Sequence, residues 1–366
     1  MRHGQRAALN LQRKRDLVKN RVRLEDIAVK AGLSKMAVSL ALRDDPSIRP
    51  ETSKRVKKIA DSLGYLPNLI AKGLVNGRSY TLAAIIGGSL HDDYHNQFLK
   101  GAIDYSMKRG YALSIALTDI DAAIEANMIQ RMRQMMVDGI LAFHSNCSRN
   151  YQRLQELGVP FVFYTKYFPD LESDYVVCDD LKGGYMMTKH LLSLGHTRIA
   201  FVHDGITANR TEVANRLQGY KKALLEAVIE PTDDLILPFC YTYKNPRAFH
   251  RNAELVERLR TNTTAFFVCN DFVTSAFYIF LKSMGYKIPE DVSVGGYEGV
   301  YLGHVLDPPL TTVVSPIVEM GQEAAKTLID KIEGNIPSDQ KTQLSLEPVL
   351  SIRGSTSRRQ PNNVDR

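Results

Sequence analysis

Residues 35–43 of this 366-residue chain carry side chains that suit the reading of DNA bases. At helical spacing, one face of the segment presents Lys35, Met36, Ser39, Leu40 and Arg43. Lys35 and Ser39 can form hydrogen bonds with base edges. Met36 and Leu40 are four residues apart and suit contact with thymine methyl groups in a major groove. The pattern predicts a helix that reads double-stranded DNA.

Two further helices must hold this segment in position. Apolar residues at helical spacing predict a first helix that begins near Leu24 and ends at Gly32. Ser34 can cap the second, reading helix, which runs to about Leu42. A third helix is predicted to begin at Pro50, because proline is favoured at the first helical position. Together they predict a three-helix head with a helix-turn-helix.

A generic helical bundle with a solvated basic face is the alternative interpretation. It accounts for Lys57 and Lys58 on the third helix, but it leaves the apolar pair on the reading face unexplained. The distribution of charge favours DNA binding. Residues 1–78 contain 18 Lys and Arg against 7 Asp and Glu, whereas the remaining residues contain 29 against 33. A basic head on a mildly acidic body is typical of nucleic-acid binding at one end.

The segment Leu24–Gly77 resembles the head of the lactose/galactose-repressor family. The family pattern D-V/I-A-x-x-A-G-V/L-S-x-x-x-V-S matches residues 26–39, and G-Y-x-P-N-x-x-A-x-x-L matches residues 64–74. The resemblance adds Ser34 to the DNA contacts and implies a hinge helix with a linker at 67–80. The hinge residues implied to contact DNA are Asn68, Ala71, Lys72 and Leu74. The leucine would wedge into the minor groove.

Two residues depart from the family pattern. Leu40 stands where the family often has arginine or another polar residue, so the base preference of relatives does not transfer. Gly73 lies inside the implied hinge helix, where glycine costs roughly 1 kcal/mol relative to alanine. So short a helix is already marginal alone. We therefore expect the hinge to become helical only on DNA.

From Leu82 onward, short apolar runs alternate with longer amphipathic runs. Strands are predicted at Leu82–Ile86, Ala112–Ala116, Gly139–Ala142, Phe161–Phe163, Ile199–Val202, Ala265–Val268 and Val292–Gly295. Helices are predicted at Phe98–Gly110, Glu125–Val137, Gly183–Gly195, Leu217–Val228 and Asp271–Gly285. The alternation predicts parallel α/β sheets, and their number predicts two lobes. Ligands bind at the carboxyl ends of such strands, so two facing lobes form a cleft.

The body also resembles the core of the same family, which is similar to periplasmic sugar-binding proteins. Matching segments include Val137–Ile140, Gly158–Pro160, Leu194–Phe201, Arg216–Tyr220 and Pro308–Val313. The implied fold is multidomain, with a basic extension (1–22), a head (23–66), a hinge and linker (67–80), a two-lobed core (81–353) and a polar tail (354–366). The N-terminal lobe would span about 81–181 and 313–345, and the C-terminal lobe about 182–312.

The resemblance implies an effector cleft lined by Arg216, by Asn270 or Asp271, and by Glu298, which replaces an aspartate usual in the family. Thr165 stands where several members have a ligand-binding aspartate. The alternative to effector binding is a structural role, in which Arg216 forms a surface ion pair and Asp271 caps a helix. Charged groups of both signs suit a neutral polyhydroxylated effector, and we favour a carbohydrate over a nucleoside-like molecule.

The implied function is that of a homodimeric regulator, more often a repressor than an activator, which binds a palindromic operator under the control of the effector. The alternative is a DNA-binding regulator or architectural protein without an effector. An enzyme is disfavoured, because no G-x-S-x-G, Walker loop or H-E-x-x-H motif occurs. We expect no cofactor and no metal site.

Cysteine usage and hydropathy indicate the cellular location. Cys147, Cys178, Cys240 and Cys269 are scattered without a C-x-x-C pair, which is typical of reduced thiols. The basic N-terminus lacks the apolar segment of a secretory signal, and this disfavours a periplasmic binding protein. No apolar run approaches the roughly 18 residues of a membrane helix. We therefore expect a cytoplasmic protein that joins the nucleoid when it binds its operator and has no membrane partner.

Overall fold

The computed structural model describes residues 22–66, 77–88, 93–144, 147–204, 210–239 and 263–359. The chain divides into a small N-terminal unit that ends at Gly77 and a large unit that begins at Arg78. No helix among the described residues is long and apolar enough to cross a membrane. The predicted hinge contacts lie outside the described residues; they are Asn68, Ala71, Lys72 and Leu74.

The N-terminal unit confirms the predicted helix-turn-helix head. Its helices are α1 (Leu24–Ala31), α2 (Lys35–Leu42) and α3 (Pro50–Leu63). Gly32 ends α1 with φ 63°, a left-handed conformation that glycine adopts without strain. Ser34 caps α2, since its hydroxyl accepts a hydrogen bond from the amide of Ala37 at 3.1 Å. The predicted boundaries of the reading helix are therefore set by local sequence.

The core of the head is small. Seven apolar residues are buried where the three helices meet: Ile27, Ala28, Ala31, Val38, Ala41, Val56 and Ala60. Four of them are alanines, which let the helices cross closely. Arg55 of α3 donates to the carbonyl of Ala31 at 3.1 Å and so satisfies the end of α1. This packing uses the inner face of α2 and leaves its outer face for other contacts.

The large unit contains two six-stranded sheets, one in each lobe. The N-lobe sheet has the order β11-β5-β4-β3-β1-β2, with β1 (Thr81–Ile86), β2 (Ala112–Leu117), β3 (Gly139–Ala142), β4 (Phe161–Tyr164), β5 (Asp174–Cys178) and β11 (Gln343–Leu346). The C-lobe sheet has the order β12-β10-β9-β8-β6-β7, with β6 (Ile199–His203), β7 (Ile236–Pro238), β8 (Ala265–Val268), β9 (Ser293–Glu298), β10 (Thr311–Val314) and β12 (Val349–Ser351). All strand pairs are parallel except β10 with β12.

Helices connect the strands as the alternating pattern predicts. The N-lobe helices are α4 (Asp93–Lys108), α5 (Ala122–Gln134), α6 (Ser148–Glu156) and α11 (Ile317–Glu333). The C-lobe helices are α7 (Asp180–Ser193), α8 (Thr211–Glu226), α9 (Asp271–Ser283) and α10 (Leu302–Val305). Every strand and helix predicted in the body overlaps an observed element, and the two-lobed α/β fold is confirmed.

The structure shifts the predicted boundaries of the lobes near residues 313 and 353. Residue 313 was expected to begin the second segment of the N-lobe, but β10 continues to Val314 within the C-lobe sheet, so the N-lobe resumes with α11. The tail after 353 was expected to be a separate polar segment. Instead, the Ser355 hydroxyl donates to the Val294 carbonyl at 2.6 Å, and the Arg359 amide donates to the Leu194 carbonyl at 2.9 Å. Residues 354–359 therefore belong to the C-lobe.

The described cysteines match the expectation of reduced thiols. Cys147, Cys178 and Cys269 are unpaired by disulfides, and the last two are buried. Cys240 lies outside the described residues. Burial raises the pKa of the Cys178 thiol to about 12, so it stays protonated. These thiols serve as small core residues.

Candidate functional site

The predicted reading face lies on the outer side of α2. Lys35, Met36 and Arg43 are exposed, and Met36 is 73% exposed. Ser39 and Leu40 are half-buried between them. The face therefore offers an amine, a guanidinium and a large apolar side chain to an outside surface. These are the groups that the reading of a major groove requires.

Two members of the reading face already have partners within the head. The Lys35 ammonium lies 2.5 Å from a carboxylate oxygen of Glu25, and both side chains are more than half exposed. An exposed pair of this kind contributes little to stability, so Lys35 can exchange Glu25 for a base or phosphate. The Arg43 Nε donates to the Ser39 carbonyl at 3.2 Å, which fixes its direction without neutralising it.

Ser34 and Lys57 also have partners within the head. The Ser34 hydroxyl is occupied by the cap of α2. Lys57, on the basic face of α3, forms an ion pair with Asp44, which has φ 52°. A phosphate would therefore compete with Asp44 for the Lys57 ammonium.

A cavity of about 280 Å³ lies between the lobes, at the carboxyl ends of their strands. The N-lobe wall consists of Gly88, Tyr94, His95, Ile120, Phe143, Thr165 and Lys166. The C-lobe wall consists of Asp204, Arg210, Glu212, Arg216, Asn270, Phe272, Val273 and Glu298. Four of the five predicted effector residues are among these. The exception is Asp271.

Arg216 is the most constrained charged group in the cleft. It projects from α8 and is only 2% exposed, which removes the alternative of a surface ion pair. Its Nε donates to Asp180 at 2.8 Å and its NH1 nitrogen donates to the Cys269 carbonyl at 2.6 Å. Its guanidinium also stacks 3.8 Å from the centroid of the Tyr297 ring. Asp180 and Tyr297 thereby hold the group in one orientation.

Glu298 stands opposite this guanidinium. One of its carboxylate oxygens lies 3.9 Å from the Arg216 nitrogen. Although burial works in the opposite direction, the charges of Asp180 and Glu298 help to raise the pKa of Arg216 well above its ordinary value, so the arginine stays charged. Glu298 has φ 107°, a left-handed conformation that is strained for a residue with a side chain. Such strain commonly marks functional positions.

Asp271 does not line the cavity. It is fully buried, and one carboxylate oxygen accepts hydrogen bonds from the amides of Gly299 and Val300 at 2.8 and 3.1 Å. The other oxygen accepts one from the Thr312 hydroxyl at 2.7 Å. The carboxylate thus anchors the turn that follows Glu298. Asp271 is therefore placed as a support for the acidic residue of the cleft.

Asn270 is the member of this pair that lies in the cleft and that caps α9. Its side-chain oxygen accepts a hydrogen bond from the amide of Val273 at 2.7 Å. The N-cap is therefore Asn270, not Asp271. With its oxygen engaged, the amide nitrogen of Asn270 can donate to a ligand.

The N-lobe wall contributes a threonine and a phenol. The Thr165 hydroxyl donates to the hydroxyl of Tyr94 at 2.8 Å, and both residues are buried. Thr165 has φ 68°, so it shares with Glu298 a left-handed conformation at the carboxyl end of a strand. The threonine lies where the resemblance placed a ligand contact, with a neutral hydroxyl pair in place of a carboxylate.

Sequence reasoning missed four charged residues of the cleft. The Arg210 guanidinium donates to Glu212 at 2.8 Å and to Asp204 at 3.1 Å, which joins them into one cluster. Lys166 follows Thr165 and is 1% exposed. Lys166 and Asp204 had a positional signal, since each follows a predicted strand at its carboxyl end, whereas Arg210 and Glu212 lie at the start of α8.

Electrostatics in the cleft are set by burial. Burial lowers the pKa of Lys166 to about 8, with the nearby charge of Glu212 acting in the opposite direction. Burial also lowers the pKa of His95 to about 4, assisted by the charge of Lys166, so this imidazole is neutral at pH 7. The ammonium of Lys166 lies 4.4 Å from the centroid of the Phe143 ring. The N-lobe wall is thus aromatic, with a single cation.

The described residues include no group of three or more His, Cys, Asp or Glu side chains that could hold a metal ion. The charged groups of the cleft instead pair with one another. Such an arrangement offers directional donors and acceptors to a small molecule.

Known proteins resemble this chain in both the head and the core. Residues 23–68 match the family of bacterial regulatory proteins described as the lacI family, and residues 188–356 match a periplasmic binding protein-like domain. The HTH-type transcriptional regulator DegA of Bacillus subtilis is 31% identical over 337 residues, which cover 91% of this chain and 97% of DegA. The ribose operon repressor of Haemophilus influenzae is 28% identical, over 91% of this chain and 98% of the repressor.

A solved structure shares the whole architecture. The complex of the transcriptional regulator CelR with cellobiose superposes with a TM-score of 0.68 at 29% identity. It covers 92% of this chain and 100% of the CelR chain. These relatives are transcriptional regulators.

Proposed function

This chain belongs to the lacI family of bacterial regulatory proteins, and we propose that it represses transcription from a palindromic operator in response to a sugar bound in its cleft. It is a DNA-binding regulator, with a reading head and a small-molecule cleft in one chain. We infer that it acts as a regulator rather than an enzyme, since its relatives are regulators. Such a protein works in the cytoplasm, on the nucleoid when bound.

The balance of charge in the cleft carries the proposal of a neutral effector. Three cations, Lys166, Arg210 and Arg216, face three acids, Asp204, Glu212 and Glu298. A ligand that is uncharged but rich in hydroxyls can both donate to the acids and accept from the cations. A strongly anionic ligand would meet the acids, and a cationic ligand would meet the buried ammonium and guanidinium groups.

The size of the cavity and its aromatic wall support a carbohydrate. A volume of about 280 Å³ lies near the lower end of the roughly 300–1000 Å³ found for ligand pockets, which favours a monosaccharide or a small oligosaccharide. Phe143 and Phe272 offer apolar surface to the C–H groups of a sugar ring. The names of the ribose repressor and of the CelR–cellobiose complex point to the same class of ligand. A nucleoside-like effector is the second candidate.

We also propose that the protein acts as a homodimer. One small head does not bury enough surface to select a single site in a genome, so two heads on a palindrome are required. Among the described residues, the outermost N-lobe strand β2 pairs only with β1, and it exposes Ile115 and Leu117, at 42% and 43%. A second copy can cover this apolar edge.

Selection of bound duplexes from random DNA by the full-length protein tests the DNA-binding part. We expect a palindromic sequence with half-sites about one helical turn apart. A double variant, Lys35→Ala with Met36→Ala, is the matched control and should enrich a different sequence or none. Equal enrichment of all sequences by the parent would favour an architectural protein.

Titration of the selected duplex in the presence of D-ribose, D-glucose or cellobiose tests the effector part. A sugar that changes operator affinity in the parent should have no effect in Glu298→Ala, because this acid faces the cavity. If Glu298→Ala responds as the parent does, the effector binds elsewhere.

A further inference from the structure

The chain enters the N-lobe through three residues that are fixed to the core. The amides of Ser79 and Tyr80 donate to the two carboxylate oxygens of Asp138, each at 2.7 Å. The Ser79 hydroxyl adds a third bond to Asp138 at 3.2 Å. Arg78 donates to the carbonyl of Ile332, in the last turn of α11, at 2.9 Å. We call residues 78–80 with Asp138 and Ile332 the entry clamp.

The entry clamp holds the chain in a conformation that it would not adopt alone. Tyr80 has φ 54°, which is left-handed and strained for a tyrosine. Its ring lies 5.6 Å from the ring of Tyr111. The amide of Asp138 donates to the carbonyl of Thr81 at 2.8 Å, which ties the same residue to the first strand. Residues 78–80 were predicted as part of the linker, yet they are built into the core.

One helix connects the effector cavity to this clamp. Tyr94 and His95, in the first turn of α4, line the cavity. The 16 residues of α4 span about 24 Å. Beyond its other end, Arg109 donates to Asp330 at 3.2 Å and to Glu333, both in the last turn of α11. This is the turn whose carbonyl holds the linker.

The two helices are packed too closely to slide past each other. A methyl group on Gly101 of α4 would lie 1.9 Å from the carbonyl oxygen of Val318 in α11. A methyl group on Gly321 of α11 would lie 2.1 Å from the carbonyl oxygen of Phe98 in α4. Because their backbones touch at two glycines, a displacement at the cavity end moves the clamp end with it.

We propose that the entry clamp transmits to the linker the displacement that a ligand in the cavity causes, with Asp138 as the positioning residue. This inference rests on the proposed function, since it assumes that operator binding responds to an effector. Asp138 belongs neither to the lining of the cavity nor to the reading face. It fixes where the linker leaves the core, and a head on a fixed anchor reaches its half-site with less loss of chain freedom.

Full-length Asp138→Ala is compared with full-length Asp121→Ala. Asp121 is the matched control, because its carboxylate also accepts two backbone amides in the N-lobe, at 2.8 and 2.9 Å. The probes are the palindromic duplex selected by the parent and a random duplex. Releasing the clamp should lower the affinity for the selected duplex roughly tenfold, which corresponds to the cost of ordering one more backbone residue. The affinity for the random duplex should stay within about twofold of that of the parent. Asp121→Ala should bind both as the parent does.

Two further measurements separate positioning from stability. Amide hydrogen exchange at residues 79 and 80 should accelerate in Asp138→Ala and not in Asp121→Ala, while Asp138→Asn, which keeps one acceptor oxygen, should be intermediate. For a sugar of the panel that alters operator affinity in the parent, Asp138→Ala should bind the sugar unchanged but lose the response. If Asp138→Ala binds the selected duplex as Asp121→Ala does, the clamp is only structural. If the parent selects no sequence, the proposed function falls and this inference falls with it.

Discussion

The reading face and the effector cleft use charged side chains in opposite ways. Lys35 on the reading face is 61% exposed and has a partner that it can exchange. Arg216 in the cleft is 2% exposed and is held by Asp180, a backbone carbonyl and an aromatic ring. An exposed group costs little to redirect, whereas a buried group is preorganised and costly to disturb. The contrast suits a head that adapts to DNA and a cleft that discriminates one small molecule.

The two regions also differ in what supports them. The head rests on seven small or medium apolar residues, and its reading face is determined by a single short helix. The cleft is assembled from the ends of strands in two lobes, with supports such as Asp271 behind the residues that meet the ligand. Substitutions in the cleft should therefore affect folding and function together, and those on the reading face should affect function alone.

The largest effect is expected for Arg216→Ala. Removal of the guanidinium leaves Asp180 buried without its cation, which should lower the free energy of unfolding by about 3–5 kcal/mol. Urea denaturation of the full-length protein measures the loss. Arg198→Ala is the control, since the Arg198–Asp234 pair is 38% and 47% exposed and should contribute less than about 1 kcal/mol. Equal losses in the two variants would remove the contrast between buried and exposed charges.

The second effect is a dependence of stability on pH that originates in the cleft. The folded protein binds a proton at His95 only near pH 4, while the unfolded chain binds it near pH 6.5. Stability is therefore lost as the pH falls from about 6.5 to 4, by about 3 kcal/mol for this residue. The buried carboxyl of Asp271, whose pKa burial raises to about 7, acts in the opposite direction.

Comparison of variants isolates the contribution of His95. Thermal melting of the parent and of His95→Gln, followed from pH 7 to pH 4, should show a smaller loss of stability in the variant. His190→Gln serves as control, because His190 is only half-buried and forms a hydrogen bond with Thr356. A His95→Gln profile parallel to that of the parent would mean that the imidazole is solvated.

A smaller effect separates residues that read bases from those that bind phosphate. Met36→Ala should alter affinity for individual base pairs of the half-site by about 1–3 kcal/mol, with little change on random DNA. Lys57→Ala should lower the affinity for all sequences alike. It should also reduce the slope of log affinity against log salt concentration by about 0.9 per lost phosphate contact. Anisotropy titrations at several salt concentrations measure both. A uniform loss in Met36→Ala would show that α2 does not read bases.

The smallest effect concerns the hinge, where no described residue lies. Gly73→Ala should strengthen operator binding by up to about 1 kcal/mol per subunit, because alanine lowers the cost of forming the helix. Gly77→Ala is the matched control: Gly77 has φ 66°, so alanine there is strained and should not strengthen binding. Weaker binding by Gly73→Ala would indicate that the backbone approaches DNA closely at this position.

Local sequence was sufficient for the helices of the head and for the alternation of strands and helices in the body. Gly32 and Ser34 act within one turn of the chain, so their roles as helix stop and cap were predicted from their neighbours alone. The buried strands of the two sheets were found because continuous apolar runs are typical of parallel sheets. Strands β5, β7, β10, β11 and β12 were missed. In β7 and β12 a proline or a serine is one of only three residues, and the remaining apolar run is too short to establish a strand.

The content of the cleft was decided by tertiary structure. Sequence placed Arg216, Asn270 and Glu298 in it by resemblance, but Lys166 and Asp271 show where that reasoning stops. Lys166 is an ordinary charged residue in the sequence, and only its burial between the lobes makes it part of the site. Asp271 is adjacent to Asn270 in the chain, yet a helix turns the two side chains in different directions, one toward the cavity and one toward the Gly299 amide. The sequence by itself determined the helix-turn-helix and the strands with continuous apolar runs, because these depend on neighbours along the chain. It predicts which residues read DNA on the same basis. The partners that hold Arg216 in the cleft are more than thirty positions away from it along the chain, and this pairing exists only after the C-lobe has folded.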